Sequence, residues 1–175
     1  MTTFSLITTI LALVIFVGFV AISVRKFGWL RSYSAYAAKW TEAVPINRHT
    51  HLWSIVTVIV ALLIACGMLE QGEGHPLQFL GFFAPVYLAI VAFTPEYETN
   101  RQQCIVHVTG ALLCAVASVA WVWFAGPQGT IFFSLIAAWL LGILTRSINS
   151  SLIFWAEMAM FGAVFAARLI GGLAL

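Results

Sequence analysis

The sequence predicts an all-α integral membrane protein, an up-and-down bundle of about six transmembrane helices with an interfacial amphipathic helix after the first span. The chain has 175 residues, of which 62% are hydrophobic and 8% are charged, and its mean hydropathy is +1.02. Soluble domains carry about a quarter charged residues. A chain this short has too high a surface-to-volume ratio to hide so much apolar surface from water, so we expect lipid to surround most of it.

Six apolar segments approach the length of about 20 residues that a membrane-crossing helix needs. They cover residues 4–24, 52–69, 77–93, 104–124, 130–144 and 152–173. Helices are favoured because each satisfies its own backbone hydrogen bonds in lipid. Glycine and proline interrupt several of the runs, as at Gly72–Pro76 and Gly126–Pro127, and short loops favour antiparallel neighbours. We therefore expect a single transmembrane domain spanning residues 1–175.

The cations predict how the bundle is oriented. Lysine and arginine concentrate in the first connection, at residues 25–48, and recur singly as Arg101 and Arg146 in the third and fifth connections. In a six-span bundle these three connections share one side. The positive-inside rule makes that side cytoplasmic, with the N- and C-termini outside.

The segment at residues 30–44 has the pattern of a short amphipathic helix. Leu30, Tyr33, Ala37, Trp40 and Val44 recur at helical spacing. Such a helix is expected to lie in the interface with its aromatic side chains among the acyl chains. It would serve as an anchor or as a lid over a cytoplasmic pocket.

Polar residues at the cytoplasmic end of the bundle are the candidate site. Ionisable groups inside apolar spans are costly and therefore point to function. His107 and Glu157 lie at similar depth in the fourth and sixth spans, and small residues should let these spans pack closely. We expect the pair to form a structural hydrogen bond or a ligand or proton site. The other candidates near this level are Glu96, Glu98 and Ser151.

The histidines also allow a metal site. His49, His51 and His107, with a glutamate, would make a His/carboxylate set for zinc with an open position. His49 and His51 could bind the same ion only if their stretch is extended or caps a helix. At the other end of the bundle, Arg168 is expected to snorkel to the interface or to pair with Glu70, Glu73 or an anionic ligand.

Short patterns in the first two thirds of the chain suggest relatives. They are Val24–Tyr36, Leu52–Trp53, Gln78–Leu80 and Val106–Ala111. With them the chain resembles a group of small multi-span proteins of Bacteroides-type gut bacteria and their phages, which implies a bacterial inner membrane. The His-containing central span is also similar to the DRAM-like six-span proteins. Neither resemblance implies an activity or a catalytic residue.

Three function classes remain open at this point. The first is a protein that binds membrane lipid or another hydrophobic small molecule in a cytoplasm-facing polar pocket. The second is a channel or transporter subunit, which would have to form a homo-oligomer. The third is an intramembrane metal-dependent lipid hydrolase, so enzyme activity is undecided. Nucleic acid is set aside as a partner because there is no basic stripe with interleaved aromatic residues.

Overall fold

The computed structural model describes residues 2–44 and 51–173. Within these residues the secondary structure is entirely helical. The helices are α1 (Thr3–Phe27), α2 (Tyr36–Ala43), α3 (Leu52–Gln71), α4 (Leu80–Ala92), α5 (Arg101–Ala125), α6 (Gly129–Leu144) and α7 (Leu152–Leu173). Six of them coincide with the six predicted apolar segments to within three residues at each end. The predicted all-α class is confirmed.

Four helices, α1, α3, α5 and α7, are long and apolar enough to cross a membrane. The other two apolar helices are shorter, with 13 residues in α4 and 16 in α6. At 1.5 Å per residue they extend about 20 Å and 24 Å, against a hydrocarbon core of about 30 Å. The structure thus supports a membrane-embedded helical bundle.

Hydrogen bonds between connections define the two ends of the bundle. At one end, called here the Gln71 end, the Gln71 side chain at the end of α3 donates to the Ala125 carbonyl at the end of α5, at 2.8 Å. At the other, the Arg31 end, the backbone N–H of Phe154 near the start of α7 donates to the Arg31 carbonyl, at 2.9 Å. Helices α3 and α5 therefore both end at the Gln71 end. Helix α1 ends and α7 begins at the Arg31 end, so these two helices run in opposite directions.

Helix α7 is the central element of this arrangement. It packs against α1, α3, α5 and most extensively α6, while α3 and α5 both pack on α4. The predicted contact between the fourth and sixth spans is confirmed as the contact between α5 and α7. Aromatic rings fill the core beside α7, where Phe16 lies 4.5 Å from Phe161 and Tyr33 lies 5.4 Å from Trp53, measured between ring centroids.

Residues 28–44, the part of the chain after α1 that the structure describes before residue 51, are called here the connecting segment. Gly28 ends α1 with φ of +75°, a conformation that glycine adopts without steric cost, and the chain then turns back onto the bundle. The Tyr36 hydroxyl donates to the Gly28 carbonyl at 2.7 Å and fixes the turn. Helix α2 follows over only eight residues.

The side chains of this segment correct the interfacial-helix prediction. Tyr33, Tyr36, Ala37 and Trp40 are buried against the bundle rather than placed among acyl chains. The Trp40 ring stacks on Phe19, and its indole N–H donates to a serine hydroxyl of α1 at 2.8 Å. The helical periodicity correctly predicted an apolar face on this segment. That face packs against other helices of the protein and not against lipid.

Candidate functional site

A cavity of about 190 Å³ lies at the Arg31 end, between the connecting segment, α4, α5 and α7. Its walls are mostly apolar, with Leu88, Val91, Met160 and Phe161 among them. The polar side chains that line it include Ser34, His107 and Glu157. The structure thus brings the two central predicted site residues, His107 and Glu157, to one cavity.

Glu157 fastens the connecting segment to α7. Its Oε2 atom accepts a hydrogen bond from the backbone N–H of Tyr33 at 2.5 Å. The Tyr33 hydroxyl is held in turn by Thr57 of α3, at 3.0 Å. Burial of this phenol in the core raises its pKa above the ordinary value, so Tyr33 stays neutral. Glu157 therefore orients a backbone turn and also presents its carboxylate to the cavity.

His107 is held on two sides. Its Nδ1 atom lies 2.9 Å from the Thr94 hydroxyl and 3.3 Å from the Thr94 carbonyl, just after α4. The Tyr97 ring stacks on the imidazole at 3.9 Å between centroids and 14° between planes. A polar anchor and an aromatic cover thus fix the imidazole in one orientation.

An ion pair lies beside this covering tyrosine. The Arg31 guanidinium donates to Glu98 Oε1 at 2.6 Å, and the Tyr97 hydroxyl lies 3.3 Å from the same oxygen. The hydrogen bond from Arg31 to Glu98 raises the pKa of the arginine. Both charged side chains are substantially exposed to solvent, so the pair adds little stability. The ion pair instead holds two parts of the chain together, because it joins the connecting segment to the loop that carries Tyr97.

The expected direct hydrogen bond between His107 and Glu157 is not formed. Each side chain has another partner, Thr94 for the imidazole and Tyr33 for the carboxylate. Matching depth on two helices was enough to predict a shared cavity. It did not predict the bond, because a backbone N–H and a threonine hydroxyl from irregular segments occupy both side chains.

The remaining predicted site residues lie outside this cavity. Glu96 bonds to Gln103 at the start of α5. Glu98 pairs with Arg31, as described above. Ser151 is buried directly before α7, where its carbonyl accepts from the Trp155 backbone N–H at 3.1 Å. Roles for these three residues as ligand or proton groups stay predictions.

The predicted zinc set is not assembled by the residues that the structure covers. His51 Nδ1 lies 2.7 Å from the Thr41 hydroxyl, and His51 lines a different cavity, of about 290 Å³, beside Phe93 and Pro95. Within residues 2–44 and 51–173 no group of three or more His, Cys, Asp or Glu side chains is placed to hold a metal ion. His49 lies outside the described residues, so a set that includes it stays a prediction.

A second polar cluster lies at the Gln71 end. Arg168 is 0% exposed, so the prediction that it snorkels to the interface is wrong. Its guanidinium donates to the Gln71 side chain at 2.6 Å and to the Ser5 hydroxyl at 3.4 Å, and Glu70 acts on it electrostatically. The alternative prediction, a counter-ion relation with Glu70, stays a prediction. This cluster ties α7 to α1 and α3.

Sequence reasoning missed Thr94 and Tyr97 as site residues. Both lie in the loop after α4, where the residues around Pro95 are typical of an ordinary turn. An available signal was the aromatic residue at position 97 among acidic and polar neighbours, at the predicted depth of the histidine. Aromatic residues in membrane proteins are common at the interface, however, which hides such a role.

Fold and cavity together define the class of the protein as a helical bundle with apolar helices able to cross a membrane and a polar-anchored cavity at one end. In comparisons with known proteins, the chain matches no protein-family model and no curated protein, and its fold matches no solved structure. The resemblance to small proteins of Bacteroides-type bacteria and their phages therefore stays a prediction.

Proposed function

We propose that this protein binds a membrane lipid or another hydrophobic small molecule in the cavity lined by His107 and Glu157. The observation that carries the proposal is the composition of that cavity, whose apolar walls meet a few fixed polar groups at one end. Sites for apolar small molecules have this composition, in which the walls supply affinity and the polar groups fix orientation. Ile153, which lines the cavity, is 59% exposed on the bundle surface, so an amphiphile could enter there from the surrounding bilayer.

We further propose that α4 and α6 cross the membrane together with the four longer helices, which gives six spans. The Gln78 side chain, just before α4, donates to the Leu69 carbonyl at the Gln71 end, at 3.1 Å. Glu98, just after α4, pairs with Arg31 at the other end. Helix α4 thus connects the two ends despite its length. A short span is accommodated by local thinning of the bilayer at modest cost.

The proposed location is a bacterial inner membrane, with the Arg31 end in the cytoplasm and both termini outside. Arg25, Lys26, Arg31 and Lys39 all belong to the Arg31 end, and cations of short connections favour the cytoplasmic side. The cavity would then open near the cytoplasmic leaflet.

Blocking the cavity tests the proposed binding. Ala111 lines the cavity, whereas its neighbour Leu112 is 63% exposed on the outer surface of α5. We expect the wild-type protein, purified in a mild detergent, to retain a bound lipid or other hydrophobic molecule in native mass spectrometry. Ala111→Phe should lose it because the ring fills the cavity, and Leu112→Phe should keep it. Equal occupancy in the two variants, or no bound molecule in the wild type, would contradict the proposal.

Cysteine accessibility tests the span count and the orientation. In a background without Cys66, Cys104 and Cys114, single cysteines are placed at Lys39 and at Glu96. We expect both to react with a membrane-impermeant maleimide only after the cells are opened. If α4 does not cross, the cysteine at position 96 will react in intact cells while that at position 39 will not. Reaction of both in intact cells would reverse the orientation.

A further inference from the structure

The hydrogen-bonding state of His107 can be assigned from its neighbours. The Thr94 hydroxyl lies 2.9 Å from the Val91 carbonyl, an acceptor to which it donates its single proton. Its contact with His107 Nδ1 must then run the other way, from Nδ1–H to the hydroxyl oxygen. The nearby Thr94 carbonyl, which can only accept, agrees with this direction. In the neutral imidazole, Nε2 therefore carries a lone pair.

Nε2 is open to a ligand. Among the described residues it has no hydrogen-bond partner, and it is not one of the fully buried polar atoms without partners. Tyr97 covers a face of the ring and leaves its edge free. Because His107 lines the cavity, this edge supplies a hydrogen-bond acceptor there.

Glu157 supplies a second acceptor. Its Oε2 atom is occupied by the Tyr33 N–H, while Oε1 has no hydrogen-bond partner among the described residues and is likewise not fully buried. In its ionised form, which the Tyr33 N–H and a bound cation both favour, the carboxylate accepts several hydrogen bonds and donates none. The free groups of both ionisable anchors are thus acceptors, so a ligand that satisfies them must donate.

The charges around the cavity point the same way. Among its described lining residues there is no lysine or arginine. Arg31, the cation in the adjoining segment, is bonded to Glu98. A phosphate or carboxylate head group would meet a carboxylate with no cation to offset the repulsion. An ammonium group would donate charge-assisted hydrogen bonds to Glu157 and could donate to His107 as well.

Apolar side chains continue from the cavity into the bundle. A second cavity, of only about 20 Å³, is lined mostly by apolar residues of α3, α4, α5 and α7. It shares four lining residues with the first cavity: Leu88, Cys114, Met160 and Phe161. The first cavity, of about 190 Å³, is smaller than sites for drug-sized ligands, which hold about 300–1,000 Å³. A single narrow chain suits this space, and a two-chain lipid does not.

We infer that the ligand is a single-chain amphiphile with an ammonium head group, whose N–H groups bind Glu157 Oε1 and His107 Nε2 while its chain extends along Leu88 and Phe161. This inference rests on the proposed binding function and specifies its ligand class. Other donors, such as an alcohol head group, could satisfy one acceptor but would lack the charge attraction to Glu157.

Dodecylamine, dodecanol and dodecanoic acid provide matched probes, because they share a chain and differ in the head group. Binding to the purified full-length protein at neutral pH would be measured by native mass spectrometry over a concentration series. We expect dodecylamine to bind at least about tenfold more tightly than the other two. Glu157→Gln should abolish this preference by weakening dodecylamine binding to about the level of dodecanol. Glu96→Gln, which removes an exposed carboxylate outside the cavity, should leave all three affinities unchanged.

The glutamine variant keeps a side-chain oxygen for the Tyr33 N–H, and circular dichroism would verify its fold. If the variant does not fold, the order of the three affinities in the wild-type protein decides whether the ligand class is correct. Dodecanoic acid binding as tightly as dodecylamine would overturn the ligand class. If that binding is lost in Ala111→Phe, the proposed function survives without the amine. If none of the three probes binds and no molecule co-purifies, both proposals fail.

Discussion

Replacing Trp121 with alanine is expected to lower the free energy of unfolding by about 3–5 kcal/mol, the usual cost of deleting a large buried aromatic side chain. Trp121 is 0% exposed, and its indole N–H donates to the Met68 carbonyl of α3 at 3.2 Å. Lipid tails are as apolar as the core, so the loss comes from packing rather than from hydration. The cavity left beside Met68 would forfeit the packing contacts of the buried ring and its hydrogen bond to α3.

Trp123 is the matched control, because it lies two residues further along α5 and is 45% exposed. Trp123→Ala is expected to change the free energy of unfolding by no more than about 0.5 kcal/mol. Unfolding would be followed by far-ultraviolet circular dichroism during titration with sodium dodecyl sulfate in mixed micelles. Tryptophan fluorescence is avoided because both variants change it. Equal losses in the two variants would show that Trp121 does not carry the α3–α5 contact.

The helices could be predicted closely because lipid imposes a simple constraint. Each span must be apolar and hydrogen-bonded within itself, so runs of hydrophobic residues broken by glycine and proline mark helix ends well. The limits of α3 and α7 agree with the predicted segments to within two residues. The start of α4 was harder to predict, because the apolar residues Leu77 and Phe79 lie in a turn before the helix begins at Leu80.

The sequence allowed the level of the candidate site along the helices to be predicted, but not the hydrogen bonds that its residues form. His107 and Glu157 were placed at one level by counting along their helices, and the structure brings both to one cavity. Their actual hydrogen-bond partners lie in turns. Turns have no regular repeat, so the position of a residue in the sequence does not predict the direction in which its groups point. Arg168 was misjudged for a related reason. Position near a helix end suggests snorkelling, whereas the buried Arg168 meets Gln71 and Ser5 on neighbouring helices.

Replacing Gly81 with leucine is expected to destabilise the bundle by about 1–3 kcal/mol, the typical cost of forcing extra atoms into a packed core. A Cβ atom at Gly81 would lie 3.0 Å from the backbone C and O atoms of Met68 and 3.2 Å from the backbone N of Leu69. These neighbours are main-chain atoms that cannot rotate away. Helix α4 would have to move from α3, as close helix contacts of this kind depend on small residues.

Gly18→Leu in α1 is the control, because a Cβ atom there meets nothing within 4 Å. Leucine forms helices better than glycine, so this variant should be unchanged or more stable, by up to about 1 kcal/mol. The same detergent titration measures both. The α3–α4 contact also positions the far end of α4, where Thr94 holds His107. Gly81→Leu should therefore weaken retention of the bound molecule as well as stability. A Gly81→Leu protein as stable as Gly18→Leu would mean that α3 and α4 are not in close backbone contact.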